Sequence, residues 1–200
     1  MTDFFSVVGR QRATRAFSDA EVADADVERV LEAGTYAPSA ENRQPWEFVV
    51  VRDAERRNTI GELTRRAWDT VGRAFSEGRL SPKLFADVDR GATGGIAAAP
   101  VLIVVCADIE RGLEQAMPSS MFPAVQNLLL AATALDLGSA LTTIAVGYRA
   151  ELAALLDLPD HVVPVAVVPL GHPVRALGPP KRDPFSAHTH RERYGAAWRD

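Results

Sequence analysis

Two hundred residues, 47% apolar and 24% charged, are enough for one domain spanning residues 1–200 that buries its core without disulfides or structural metals. A net charge of −4 gives no surface that seeks a polyanion, so no nucleic-acid partner is expected. No apolar run approaches the length of a membrane span, and the opening Met1-Thr-Asp-Phe-Phe5 lacks the parts of a signal peptide, so a cytoplasmic protein with no membrane partner is expected.

Arg10, Arg12 and Arg15 come first, and guanidinium groups at such spacing converge on one anion where the backbone is helical or turning. A phosphate is the natural guest, and a solvated basic face is the plainer alternative. Ser18-Asp-Ala-Glu21 has the form of a capping box, with Asp24 as a competing start, and Val27, Val30, Leu31 and Gly34 at helical spacing predict a helix from Asp24 to Tyr36. Pro38 and Pro45 then bracket a polar loop that leads into a mostly buried strand from Glu47 to Arg52. In that loop Ser39, Asn42 and Gln44 both donate and accept hydrogen bonds, which suits an uncharged heterocycle, with Trp46 as its wall or as core. The same residues also read as a polar turn bonded to its own backbone.

Residues 53–68 are expected to be helical, whereas 69–99, with a break at Ser81-Pro82, form the least regular stretch and a candidate lid. Trp68, Phe75 and Phe85 either line that cover or pack as ordinary core. Val101 to Cys106 is a second buried strand, in which the single cysteine packs as a small hydrophobe. A long helix follows from Phe122 to Leu137, stopped by Gly138. Its apolar residues cover nearly every face, so Val125, Leu128, Leu129, Leu130, Ala132 and Leu135 belong in a core or, by preference, a subunit interface. Arg149 to Leu156 is a short helix, and Val162 to Leu170 a third strand that Pro164 and Pro169 consign to an edge or a bulge. The Pro-rich tail carries Lys181 and Arg182, and its His188-Thr-His190 reads as solvated rather than metal-binding. Helices alternating with few strands, without a run of crossover units, give an α+β fold.

Several familiar machines are missing. No GxGxxG follows a strand, no GxxxxGK[ST] occurs, and no GxSxG elbow or metal-spaced cluster is present.

Arg12-Ala-Thr-Arg15-Ala-Phe17, followed by Ala37-Pro-Ser-Ala-Glu-Asn-Arg-Gln-Pro-Trp46, resembles the paired signature of the nitroreductase family. The likeness continues through Pro123-Ala-Val-Gln-Asn-Leu-Leu-Leu-Ala-Ala132, Leu137-Gly-Ser-Ala140, Val168-Pro-Leu-Gly-His-Pro173 and Arg182-Asp-Pro184, and so covers almost the whole chain. It implies a nitroreductase-like α+β fold, with a central, mostly antiparallel sheet flanked by helices, assembled as a domain-swapped homodimer. It also implies two FMN molecules at the interface and ping-pong two-electron chemistry from NADPH or NADH to a small flat aromatic acceptor, a nitroaromatic or quinone.

By position, the resemblance gives Arg12 and Arg182 to the phosphate, with Lys181 nearby, and Arg15 to the pyrimidine edge. Pro38, Ser39, Ala40, Asn42 and Gln44 would come from the partner subunit, and Leu141, Thr142, Thr143 and Ile144 would pass by the flavin ring and its N5. Gln11 and Ala13 stand where an Arg and a phosphate-binding Ser are frequent, so Arg10 and the backbone N–H of Ala13 are expected to compensate. A cation beside N1 and the C2 carbonyl stabilises the anionic reduced ring. Hydride transfer needs stacking at contact distance rather than a side-chain acid, which fits the missing triad. Two alternatives remain: a flavin-binding module without turnover, and a flavin-consuming or dehalogenating branch, although Glu41-Asn42-Arg43-Gln44 looks more like the general reductase loop.

Overall fold

A computed structural model describes residues 3–199. Four strands, β1 (Trp46–Val51), β2 (Val101–Asp108), β3 (Gly138–Ser139) and β4 (Val162–Gly171), form one antiparallel sheet in the order β1-β2-β4-β3. Side chains alternate across a strand, and β2 is apolar at every position but its last, so both faces of the sheet can be buried. Val101, Ile103, Val105 and Ala107 enter one core with α2 (Asp24–Thr35) and α6 (Met117–Ala134). Leu102, Val104 and Cys106 enter the other, beneath α3 (Ala54–Ala67) and α7 (Arg149–Leu155).

Strand β4 is not at an edge but is bulged, the second of the two outcomes that its prolines allow. The register slips between Val105, paired with Ala166, and Cys106, paired with Pro164, leaving Val165 extra. This bulge flips the side-chain parity of the strand: Val163 and Val165 pack on the same core as Ala166, Val168 and Leu170. Pro169 shares the orientation of Val167, whose N–H and C=O bond Thr142 on the β3 side. Its missing N–H therefore removes no bond to β2. The two-residue β3 is a strand that sequence patterning does not reveal.

At one helix the competing start wins, and at another both ends differ from expectation. Ser18 caps nothing, because its N–H and hydroxyl both donate to the His172 carbonyl, at 2.9 and 3.4 Å; α2 starts at Asp24, as expected for the competing start. Helix α6 begins five residues early and ends in a Schellman turn, with Leu137 N–H on Ala132 O at 2.8 Å and Asp136, not Gly138, in the left-handed conformation at φ 57°. Gly138 sits in β3, where a Cβ would fall 2.7–2.9 Å from the Thr14 side chain. Val125, Leu128, Leu129 and Ala132 of α6 are buried in the chain's own core, with Leu135 packed against it.

The stretch after α3 is more ordered than its composition announces. A π-helical turn over 68–72 leads to α4 (Arg73–Ser76), and Ser81 caps α5 (Pro82–Arg90). Trp68 is buried core, donates its Nε1 to Asp89 at 2.8 Å and packs on the half-buried Phe85; Phe75 is exposed. A fourth helix-like turn, Gly91–Gly95, returns the chain to β2. Among the described residues no helix is long and apolar enough to cross a membrane.

Candidate functional site

The arginines that open the chain lie on two kinds of backbone. Arg10 ends α1 (Phe4–Arg10), whereas residues 12–17 are extended: Ala13 pairs with Ser139, and Phe17 with Pro173. Residues three apart on an extended chain face opposite ways, so the convergence expected for a turning backbone does not occur within one chain. Arg10 pairs with Asp136 at 3.0 Å. Arg12 donates to the carbonyls of Gly178 and Pro179 at 2.8 and 3.3 Å, which brings the tail bearing Lys181 and Arg182 to it. Arg15 donates to Asp87 Oδ2 at 2.8 Å.

Arg15 lies at a cavity of about 170 Å³ that it lines with Val88, Ile96 and residues 140–144. Thr142 is fixed there by backbone bonds to Val167 of 3.0 and 2.8 Å, and its hydroxyl accepts from Ile144 N–H at 3.3 Å. Leu141 is exposed at the site, and the Ser139 hydroxyl beside it is buried without a hydrogen-bond partner. Aliphatic walls with one guanidinium at the rim suit a flat apolar ring that carries negative charge on one edge. The residues present therefore fit the isoalloxazine of FMN. At 170 Å³ the cavity is below the roughly 300 Å³ at which ligand pockets begin, too small to enclose such a ring by itself.

Sequence reasoning missed what braces Arg15. A Cβ on Gly91 would fall 2.6 Å from Arg15 Cδ, and one on Gly95 would fall 2.2 Å from Arg15 O. With Asp87 these residues recur every four positions, on α5 and the turn that follows it. An acidic residue with two glycines at that spacing was the available signal.

The loop from Pro38 to Gln44 is built differently. Ser39 Oγ accepts from Gln44 N–H at 3.0 Å, Gln44 Nε2 donates to Asn42 O at 3.2 Å, and Ala40 N–H donates to Ser120 Oγ at 3.2 Å. Here Ser39 and Gln44 do bond the loop's own backbone. Glu41, Asn42 and Gln44 all adopt left-handed φ, at 53°, 53° and 49°, a conformation that costs energy for residues with a Cβ and that gathers at functional loops. Pro38, Asn42 and Gln44 are exposed.

Arg111 holds this loop to the sheet, donating to Gln44 O at 3.1 Å and pairing with Glu47 at 3.0 Å and Asp108 at 3.4 Å. Asp108 in turn accepts from the backbone N–H groups of Arg111 and Glu110 at 2.9 and 3.0 Å. The Arg111 N–H, more than any other group, holds its carboxyl below the usual range; burial opposes this, and the Glu110 N–H and the Arg111 charge add to it. Cys106 is the reverse case, a thiol that burial, helped by the charge of Glu47, pushes up to about 12, inert as a nucleophile.

The loop and the cavity lie at diagonal corners of the sheet. Trp46, which ends the loop, pairs with Ala107, whereas Ser139 reaches Val101 through Leu170. At about 3.4 Å per residue and about 4.8 Å per strand, these points are about 20 Å apart along the strands and about 14 Å across them. One chain does not bring Ser39, Asn42 and Gln44 to Arg15.

Comparison with known proteins agrees with this architecture. The nitroreductase family model matches residues 8–172. An Archaeoglobus fulgidus protein named "Putative NADH dehydrogenase/NAD(P)H nitroreductase" is 32% identical over 179 residues, covering 86% of this chain and 87% of its own. A Bacillus subtilis FMN reductase (NAD(P)H) is 26% identical, covering 97% and 75% respectively. Among solved structures, a Desulfovibrio desulfuricans "putative nitroreductase in complex with FMN" superposes with a TM-score of 0.74 at 28% identity, covering 97% of this chain and 99% of that one. By sequence and fold together, the chain belongs to the nitroreductase family of oxidoreductases.

Proposed function

We propose that this protein is an FMN-dependent oxidoreductase that takes two electrons from NADPH or NADH and passes them, in a ping-pong sequence, to a flat nitroaromatic or quinone-like acceptor. It works as a homodimer, each site joining the Arg15 cavity of one chain to the 38–44 loop of the other. The observation that carries this reading is the diagonal arrangement: a cavity too small to be a whole site, and a strained polar loop in the opposite corner. The FMN complex of the Desulfovibrio relative supports the choice of cofactor, and the names of the Archaeoglobus and Bacillus relatives support the choice of donor.

Bound FMN supplies the centre that accepts and returns hydride; the chain supplies its surroundings. Arg15 sets a positive charge at the ring's edge, and residues 141–144 present aliphatic and backbone groups to its body. Arg12, with Lys181 and Arg182 on the tail that it holds, forms a cationic end for the phosphate, helped by Arg10 and the Ala13 N–H. Pro38, Ser39, Ala40, Asn42 and Gln44 of the other chain close the remaining side and exclude water.

The test is a spectrum. The purified protein should be yellow, bleach anaerobically with NADPH or NADH, and regain colour with a nitroaromatic or a quinone. A yellow protein that neither donor bleaches would be a flavin-binding module without turnover, and the oxidoreductase reading would fall.

A further inference from the structure

We propose that Asp87 is a positioning residue that fixes the Arg15 guanidinium at the cavity rim and offsets its charge, thereby setting how strongly the site favours an anionic guest. The inference rests on the FMN reading above and adds to it the residue that tunes it. Three observations carry it. Arg15 Nη1 donates to Asp87 Oδ2 at 2.8 Å, with side chains only 20% and 39% exposed. The stem of Arg15 lies along Gly91 and its carbonyl along Gly95, so close that any Cβ would displace them. Asp87, Gly91 and Gly95 recur at spacing four, which makes them one stripe along α5 and its continuation.

A part-buried pair of this kind is screened less than a fully exposed one, so its charges are felt in the adjoining cavity. Guanidinium has five donors, and the bond to Asp87 occupies one of them, leaving others for a guest. Neighbouring Asp89 is engaged elsewhere, with Trp68 and Arg73, so Asp87 is the carboxylate that meets Arg15. What the pair presents to the cavity is a fixed set of donors with much of their positive charge cancelled.

Oxidised FMN has a neutral ring, and reduced FMN an anionic one. A carboxylate behind the guanidinium therefore penalises the reduced form and leaves the oxidised form nearly unaffected. Asp87→Asn keeps the shape and an oxygen that accepts from Arg15, and removes only the charge. Its expected effect is a reduced form bound about tenfold tighter relative to the oxidised, which for a two-electron couple is about 30 mV upward.

The experiment measures the dissociation constant of oxidised FMN by fluorescence, and the midpoint potential of the bound flavin by spectroelectrochemistry. It uses the wild type, D87N, D87E, R15Q and the double variant R15Q/D87N. Support is an upward shift in D87N, a D87E potential close to wild type, and an upward shift that is kept when D87N is added to R15Q, since the fields of separate charges add. An unchanged or lowered potential in D87N, with FMN still bound, overturns the proposal. So does a D87N shift that disappears in the R15Q background, which would mean that Asp87 acts only through the placement of Arg15 and not by its charge. Should D87N fail to fold, D87S removes the same charge and carries the same expectation. A wild type that takes up no FMN sinks the functional reading itself, a result distinct from any of these.

Discussion

The Arg15 cavity and the loop from Pro38 to Gln44 are the two halves of the proposed site, and they are held in opposite ways. Arg15 is braced by residues more than seventy positions away, Asp87, Gly91 and Gly95, and its backbone segment leans on Ser139. The loop is braced mostly by itself, through Ser39 on Gln44 and Gln44 on Asn42, with Ser120 and Arg111 tying it down from outside. A half made of distant contacts is rigid only when the whole chain is folded. A half made of local contacts carries its shape with it, which is what a segment needs if it is to complete a site on another molecule.

The largest effect should come from setting the two halves against each other. Arg15→Ala removes the cation of one half, whereas Asn42→Gly removes an amide of the other and still tolerates the left-handed backbone. Arg15→Ala should weaken FMN binding by about tenfold to a hundredfold, the range for a lost hydrogen bond that involves a charged group, and Asn42→Gly by up to about tenfold, the range for a neutral one. Mixed after dissociation and reassociation, the two variants should recover tight FMN binding at one site per heterodimer, measured by flavin titration. No recovery would mean that both halves serve the same chain's site. A smaller effect is expected from Arg111→Ala, which leaves Gln44 O without its donor and loosens the loop as a unit. FMN affinity should fall by about fivefold, equivalent to about 1 kcal/mol for one such hydrogen bond, with the melting temperature little changed.

The smallest effect is on stability in acid. The carboxyl of Asp108 is held low in the folded chain, so its contribution is complete above the unfolded carboxyl range near 3.9 and is lost as pH falls through the folded value. Wild type should therefore melt higher than Asp108→Asn near pH 6, and the two curves should converge below about pH 4. A gap that persisted in acid would assign the role of Asp108 to packing rather than to its charge.

What was legible in the sequence follows the same division. The 38–44 loop announces itself because its prolines, its polar residues and the strand after it are contiguous, and α2, α3, α7 and the buried β2 are legible for the same local reason. Periodicity alone could not say whether the apolar faces of α6 meet a core or a partner; Leu128 and Ala132 prove to be core because β2 and β4 lie beneath them. Gly138 was misread as a helix stop because a glycine's reason for being there is ambiguous in sequence: here it is the approach of Thr14, and Asp136 makes the turn. The arginine cluster looked like one anion site because spacing was read on a turning backbone, whereas pairing with Ser139 extends it. Pro164 and Pro169 allow an edge or a bulge, and sequence does not say which: the bulge at Val165 admits one proline, and the shortness of β3 admits the other.

Strand β4 also fixes when folding can finish. Ser18 meets His172, 154 positions away, and β2 lies beside β4 along its whole length. During synthesis the chain must wait, with β2 bare along one side and its apolar residues uncovered, until the last strand leaves the ribosome. Long-range closure of this kind is slow and exposes the waiting edge to other chains. For a protein whose proposed site needs a second copy, the interval in which the chain is most prone to wrong partners thus comes just before it is able to choose the right one.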